Sequence, residues 1–297
     1  MFTLLLIMTA YLILAFKNPP QLARLVNSIY SDNSEIYIHI DKKVDIRPFL
    51  FIKKSPRIHF VTNRFTIVWG GYSITECIIS GMKEIINTKF DHVVLMSGQD
   101  YPVRSMVEFE ELLSSNKDIS FMSVEENSKK SKWWNVARHR YENYYLSDLR
   151  FRGKRYLHKL LRTVLPKREF LYPHYRLYGG AGSTFCVLSK ESARYIIEFM
   201  EGNKRAARFA RSTFASDEFW FQTILMNSYL KGKVINTPLW YMDWDGSSKH
   251  PRVLTIMDYN KIIDSGFYFA RKFDILKDDL ILDKLDVILS QKAILHA

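Results

Sequence analysis

Two adjacent carboxylates, Asp217 and Glu218, stand directly before an apolar run in the last third of the chain. The pattern predicts a helix over residues 217–230 with Ser216 as its N-cap, and a helix dipole favours acidic side chains in the first turn. Capping therefore accounts for one of the two carboxylates. Aromatic residues follow at 219–221, and apolar surroundings suit a carboxylate for proton transfer. Glu218 is a candidate general base, with capping as the alternative interpretation.

Two further acidic residues follow predicted strands. Asp41 ends the run 37–41, and Asp100 lies in the turn 97–102, whose glycine and proline restrict the backbone. Because nucleotides bind at the carboxyl ends of parallel strands, carboxylates placed there suit hydrogen bonds to a base or to sugar hydroxyls. We predict that both residues lie at a nucleotide donor. Strand termination and turn chemistry are the alternatives.

Cations and aromatic rings are concentrated near the end of the chain. Residues 249–252 and 269–274 carry Lys, Arg and His beside ring-bearing residues, a combination suited to neutralising a departing diphosphate. Solvated surface positions are the alternative. The segment 240–244 adds rings of the kind that stack on sugar faces. Its triplet 243–245 is Asp-Trp-Asp, but it lies too far beyond the nucleotide-binding half for a metal-bound diphosphate, so no metal site is predicted.

The net charge of +12 is concentrated in one segment. Residues 129–176 carry fourteen Lys or Arg against three acids, Glu142, Asp148 and Glu169. Such a basic patch attracts nucleotide-sugars, anionic lipid surfaces, acidic glycans or nucleic acid, and a solvated surface region is the alternative. Of these partners, nucleic acid is the one that we do not predict. The rival interpretation is a non-catalytic module that binds an anionic polymer or a membrane surface through this insert, but it leaves the motifs at the strand ends unexplained.

Short β-branched runs alternate with amphipathic helical patterns over the first 125 residues, and the alternation resumes after residue 180. This rhythm predicts an α/β fold with a mainly parallel central sheet flanked by helices. We divide the single predicted domain, 1–297, into a nucleotide-binding half (1–125), a basic insert (126–180) and an acceptor and catalytic half (181–297). The predicted strands are 10–16, 35–41, 57–61, 92–96, 119–124, 183–188 and 234–237, and the predicted helices are 19–30, 73–87, 106–114, 191–200 and 217–230.

The apolar start of the chain, residues 1–16, is interrupted by polar side chains and is too short to span a bilayer. We expect a buried first strand there, Met8 as an alternative start, and no membrane-spanning segment. Cys77 and Cys186 lie in apolar stretches without a metal-like or disulfide-like spacing, which predicts buried thiols in a reducing compartment. The expected location is the cytoplasm, with peripheral contact at the inner membrane face.

Taken together, these segments resemble the Core-2/I-branching enzyme and peptide O-xylosyltransferase family, glycosyltransferase family 14. Each segment alone is a weak signal, but together they occur in order and cover nearly the whole chain. They are Ala10–Leu14, Tyr37–Lys43, Trp69–Ser73, Ser97–Pro102, Gly182–Ser183, Leu188–Ser189, Asp217–Glu218, Phe221–Thr223, Asp243–Trp244, His250–Pro251 and Phe269–Asp274.

The resemblance implies a GT-A-like fold, a UDP-sugar donor carrying N-acetylglucosamine or xylose, and inversion at the anomeric carbon. It implies neither a divalent metal nor a cofactor, because basic side chains replace the metal at the diphosphate, and the acceptor would be a glycan or a lipid-linked glycan. The residues implied are Glu218 as catalytic base, Asp41, Asp100, Arg252 and Lys272 at the donor, and Trp240, Asp243 and Trp244 at the acceptor.

Two features depart from the family pattern. Phe16 stands where many relatives carry His, and the sequence shows no disulfide-rich stem or anchor of the animal Golgi type. These departures favour a bacterial-type cytoplasmic enzyme and leave the sugar specificity open.

Overall fold

A computed structural model describes residues 7–245 and 250–295 of the chain. The strands in these residues are β1 (Thr9–Ala15), β2 (Ser34–Ile40), β3 (Ile58–Phe60), β4 (His92–Ser97), β5 (Asp100–Pro102), β6 (Ser120–Met122), β7 (Glu125–Glu126), β8 (Tyr178–Gly179), β9 (Val187–Ser189), β10 (Val234–Asn236), β11 (Trp240–Met242) and β12 (Phe269–Arg271). The α-helices are α1 (Pro19–Ile29), α2 (Ser73–Ile86), α3 (Met106–Ser114), α4 (Lys132–Ala137), α5 (His139–Glu142), α6 (Lys154–Val164), α7 (Lys190–Gly202), α8 (Lys204–Arg211), α9 (Trp220–Met226), α10 (Tyr259–Asp264) and α11 (Leu280–Leu295).

The central sheet has seven strands in the order β10-β6-β9-β4-β1-β2-β3. β1 pairs in parallel with β2 and β4, and β3 and β10 also pair in parallel with their neighbours. β9 alone among these strands runs antiparallel, between β4 and β6. The predicted mainly parallel α/β sheet is therefore confirmed. Because β9 and β10 come from the second half of the chain, both predicted halves contribute to one sheet.

The two faces of the sheet carry separate hydrophobic clusters, because successive side chains of a strand point to opposite faces. On β1, Ala10 and Leu12 join a cluster with α2, α7 and α9. Tyr11 and Ile13 join a second cluster with α1, α3 and α11. A strand buried on both faces reads as the nearly continuous apolar run seen in the sequence.

Three strand ends meet at one edge of the sheet. β1, β2 and β4 are adjacent and parallel, so the residues that follow them, Phe16, Asp41 and Gly98, lie side by side. A second, three-stranded sheet has the order β11-β12-β5, and β12 pairs antiparallel with β5. This pairing brings the end of the chain back to the turn at 97–102.

Most of the predicted elements are present, with ends shifted by a few residues, but the predicted helix 217–230 is confirmed only over Trp220–Met226. A 3-10 turn at Ser216–Glu218 is followed by α9 and by a second 3-10 segment at Tyr229–Lys233. The strand predicted at 183–188 is also later and shorter, since β9 begins at Val187. The basic insert contains α4, α5 and α6, which were not predicted.

Cys77 and Cys186 are buried free thiols, as predicted, and burial raises the pKa of both. None of the helices in the described ranges is long and apolar enough to cross a bilayer. Residues 1–6, on which the alternative start depends, lie outside the described residues.

Candidate active site

A cleft with a volume of about 1000 Å³ opens at the carboxyl ends of β1, β2 and β4. Asp41, Ser97 and Gln99 come to it from those strand ends, and Glu218 and Lys272 come to it from the second half of the chain. The basic insert contributes side chains from α4, α5 and α6. The cleft therefore collects residues from all three parts of the sequence.

Glu218 is held at the cleft by a tight turn and not by a helix. Ala215 adopts a left-handed conformation with φ of 49°, and the hydroxyls of Ser216 and Thr75 share a hydrogen bond of 3.0 Å. The carbonyl oxygen of Glu218 accepts a hydrogen bond of 3.1 Å from the backbone N–H of Gly180. These bonds to distant segments stabilise the turn. Local capping rules do not include such bonds, and they therefore predicted a regular helix here.

The partner of Glu218 is Arg140 of α5, with which it forms a hydrogen-bonded ion pair. Both side chains are one-fifth exposed. The guanidinium carbon of Arg140 lies 5.2 Å from the ring centre of Trp133 and 5.8 Å from that of Phe214. The aromatic run 219–221 packs into the core. The carboxylate thus faces a cation between two rings, and no sequence pattern predicted Arg140.

Asp217 lies beside Glu218 but is almost fully buried. The hydroxyl of Thr184 donates a hydrogen bond of 2.6 Å to one of its oxygens, and among the described residues no donor reaches the other. Burial, together with the neighbouring charge of Glu218, raises the pKa of Asp217 to about 6. This carboxyl group is therefore largely protonated below pH 6.

We expect the variant Asp217→Asn to gain stability over the wild type as the pH rises. A folded-state pKa above the unfolded value favours folding below pH 4, and this contribution is lost as the pH rises through 6. Asn keeps a neutral group at all pH values, so the difference in free energy of unfolding should grow by about 1–3 kcal/mol between pH 4 and pH 8. Urea unfolding at both pH values measures it; a constant difference would contradict the shifted pKa.

Lys272 and Arg271 form the cationic part of the cleft. Burial, followed by the charge of Arg271, lowers the pKa of Lys272 to about 8. Arg271 is buried, with its guanidinium carbon 3.7 Å from the ring centre of Phe185 and its Nε 3.4 Å from a carboxylate oxygen of Asp100. Arg271 lies in the segment 269–274, which was predicted to bind a diphosphate, but Arg271 itself was not predicted as a cleft residue.

Asp100 and Trp240, predicted at the donor and the acceptor, are not in the cleft wall as it is described. Asp100 is fully buried and accepts hydrogen bonds from the Ser97 backbone N–H at 2.9 Å and from the Trp240 indole N–H at 3.2 Å. Trp240 is also buried, stacked on Phe269 at 4.9 Å between ring centres. The register of β5 with β12 places Asp100 opposite Arg271, so the buried Asp100 carboxylate lies next to this cation and stabilises it.

Arg252 and Asp243, predicted at the donor and at the acceptor, bind each other. Two nitrogens of Arg252 donate to one oxygen of Asp243 at 2.8 and 2.6 Å, and a third donates to Asp258 at 2.8 Å. Both carboxylates raise the pKa of Arg252. Neither Arg252 nor Asp243 is among the lining residues, whereas Trp244 is. Within residues 7–245 and 250–295, no group of three His, Cys, Asp or Glu side chains is placed to hold a metal ion.

Asp41 lies in the cleft wall, nearly buried, at the end of β2. It accepts a hydrogen bond of 2.9 Å from the Lys43 backbone N–H, and the Lys43 ammonium lies 3.2 Å away. Two residues before Asp41, the His39 ring accepts a hydrogen bond of 2.8 Å from the Phe65 backbone N–H. Burial lowers the pKa of His39 to about 4, so this imidazole is neutral at physiological pH.

Exposed aromatic rings line the open side of the cleft: Phe16, Trp69 and Trp244. Trp69 is presented by Gly70, which has φ of 70° and whose Cβ, if it had one, would lie 2.3 Å from the Phe214 ring. Only glycine fits this position. The cleft therefore combines carboxylates, cations and ring faces, which suits a charged leaving group and a sugar.

A profile of the Core-2/I-Branching enzyme family matches residues 9–263. The chain belongs to this family. The match covers most of the sequence, including Asp41 and Glu218, and it confirms the resemblance found in the motifs. Lys272 lies beyond the matched range.

Several curated proteins are similar to this family member over most of its length. "Xylosyltransferase sqv-6" of Caenorhabditis briggsae is 25% identical over 291 residues, covering 88% of this chain and 34% of the relative. "Beta-glucuronosyltransferase GlcAT14B" of Arabidopsis thaliana is 25% identical, covering 93% of this chain and 65% of the relative. The chain thus spans about a third of the length of that xylosyltransferase.

Among solved structures, a 4-diphosphocytidyl-2C-methyl-D-erythritol synthase from Anaerococcus prevotii is similar with a TM-score of 0.42 and 12% identity. The similarity covers 88% of this chain and 96% of that one. At this distance it has no bearing on function.

Proposed function

We propose that this chain is a glycosyltransferase that moves a sugar from a UDP-sugar to a hydroxyl group of a glycan or lipid-linked acceptor. The observation that carries the proposal is a single cleft at the carboxyl ends of parallel strands, which is lined by a carboxylate, Glu218, and by two cations, Arg271 and Lys272. The relatives named as xylosyltransferases and glucuronosyltransferases support sugar transfer.

The proposed reaction is a single displacement with inversion. Glu218 accepts the proton of an acceptor hydroxyl while that oxygen attacks the anomeric carbon of the donor, and the bond from this carbon to the diphosphate oxygen breaks. Lys272 and Arg271 stabilise the negative charge that develops on UDP. Arg140 orients Glu218 through their ion pair. Xylose and N-acetylglucosamine are the proposed sugars.

The donor site is proposed at the strand ends. The carboxylate of Asp41 is placed to accept hydrogen bonds from the uracil or the ribose, as carboxylates do at such edges. The rings of Trp69 and Trp244 provide faces on which a sugar can stack. Buried Asp100 takes no direct part here and keeps the guanidinium of Arg271 in place.

Because cationic side chains occupy the diphosphate end of the cleft, we expect UDP-sugar binding to survive removal of divalent metal. Titration calorimetry with a panel of UDP-sugars in excess EDTA should give binding in the micromolar range for at least one donor. Hydrolysis of that donor, measured next, would identify it as a substrate. A strict requirement for Mn²⁺ would contradict metal independence and return Asp243 and Asp245 to consideration as ligands.

The same titrations test the rival function, a non-catalytic module that binds an anionic polymer through the basic insert. That function predicts no affinity for any UDP-sugar, with or without metal, and polymer binding that weakens steeply with salt. The insert favours the enzyme, because its Trp134 is fully buried in the core and its Arg140 pairs with Glu218.

A further inference from the structure

Helix α6 of the basic insert presents a row of apolar side chains to solvent. Tyr156, Leu160 and Val164 are 81%, 57% and 68% exposed, and their spacing of four residues places them along one side of the helix. Leu149 and Phe151, just before the helix, are about half exposed as well. Exposed apolar side chains therefore occur along two turns of the helix and in the segment that leads into it.

The other side of α6 is fixed to the body of the protein. Leu157 and Leu161 are half-buried, the His158 ring nitrogen accepts a hydrogen bond of 3.0 Å from the Leu146 backbone N–H, and the Lys154 ammonium donates one of 2.6 Å to the Ser147 carbonyl. The exposed row is thus held outward on an anchored helix.

The segment that contains this row carries charges of one sign, and Lys167 at its end pairs with Glu142 of α5. Residues 149–167 contain seven Lys or Arg and no Asp or Glu. Of these cations, Lys159 is exposed on α6 beside the apolar row, and Arg162 is exposed on the side away from it. A surface helix with an apolar row and a strongly basic polar side has the composition of helices that lie in a membrane interface.

We propose that α6 docks this chain on an anionic lipid bilayer. Tyr156, Leu160 and Val164 enter the boundary between headgroups and acyl chains, while the flanking cations contact lipid phosphates. An acidic polymer would be attracted by the same cations but would leave the three apolar side chains in water. The apolar row therefore favours the bilayer over a soluble polyanion.

Docking in this way has a consequence for the cleft. Arg162, on the side of α6 opposite the apolar row, lines the cleft, so the bilayer surface would lie about 10 Å, one helix diameter, from this wall. An acceptor carried on a lipid would then be within reach. This consequence rests on the proposed transferase function, whereas the docking itself does not.

The test is co-sedimentation of the full chain with vesicles made of equal parts phosphatidylglycerol and phosphatidylcholine, or of phosphatidylcholine alone. We expect binding to the anionic vesicles only. The variant Tyr156→Ser/Leu160→Ser/Val164→Ser should lower the partition coefficient by roughly tenfold or more, because it removes the apolar contribution to insertion. The matched control is Met257→Ser/Leu276→Ser, which changes side chains 85% and 83% exposed elsewhere on the surface and should bind as the wild type does.

Two results would overturn the proposal: no binding to the anionic vesicles, or equal binding by the triple variant and the wild type. In the second case, binding that disappears with added salt would assign the surface to a polyanion. Circular dichroism of each variant verifies folding, and UDP-sugar binding without vesicles verifies the cleft. A failure of docking is therefore distinguishable from a failure of the proposed transferase function.

Discussion

The variant Glu218→Gln is expected to lower the rate constant of sugar transfer by roughly 10²–10⁴-fold, the usual contribution of a general base. The amide keeps the size of the side chain but cannot take the proton of the acceptor hydroxyl. UDP affinity should stay within about twofold of the wild-type value, because the base acts on the acceptor and not on the diphosphate. Single-turnover kinetics with saturating donor, beside calorimetry with UDP, measure the two quantities.

Two companion variants make this result specific. Glu142→Gln changes a glutamate of the insert that pairs with Lys167 and does not line the described cleft, and this variant should transfer sugar at the wild-type rate. Asp217→Asn changes the buried neighbour. If Asp217→Asn lost the activity and Glu218→Gln kept it, the general base would be Asp217, and its assignment to Glu218 would be wrong.

Replacing Lys272 by Met is expected to weaken UDP binding by roughly 10- to 100-fold, the worth of a charge-assisted hydrogen bond to a phosphate. Methionine retains the apolar stem but has no charge, so the diphosphate loses one of two cations in a partly dry cleft. Calorimetry at pH 7 measures the change. Lys277→Met, at an exposed lysine of the same segment, is the control and should bind UDP as the wild type does.

The pH dependence of UDP binding gives a second measure of Lys272. Its pKa in the free protein is about 8, so the ammonium form that binds an anion dominates below pH 8 and is lost as the pH rises above it. Wild-type affinity should therefore fall between pH 7 and pH 8.5, a range in which the diphosphate is already ionised and the uracil N3–H keeps its proton. Lys272→Met should show a nearly flat profile. Parallel profiles for the two proteins would mean that Lys272 does not contact the diphosphate.

The sequence by itself determined the architecture and the edge at which the cleft opens. Apolar runs such as 10–15 and 92–96 indicate strands buried on both faces, and such strands lie parallel under helices. Since parallel strands end at one edge, the place of Asp41 followed from its position in the chain. Glu218 and Lys272 were predicted from the segments that resemble the family in their order along the chain, and both line the cleft in the structure.

Only the tertiary structure decided which side chains line the cleft and which are buried behind its wall, in contact with the lining residues. Arg140 and Glu218 are 78 residues apart, and local spacing carries no information on such a pair. Asp100 and Trp240 became buried supports of Arg271 because β12 pairs with β5 in one register, and a shift of one residue would turn each of them to the opposite face. Arg252 forms ion pairs with Asp243 and Asp258. Residue type and position along the chain locate the site, but the pairing of distant strands and turns selects its members.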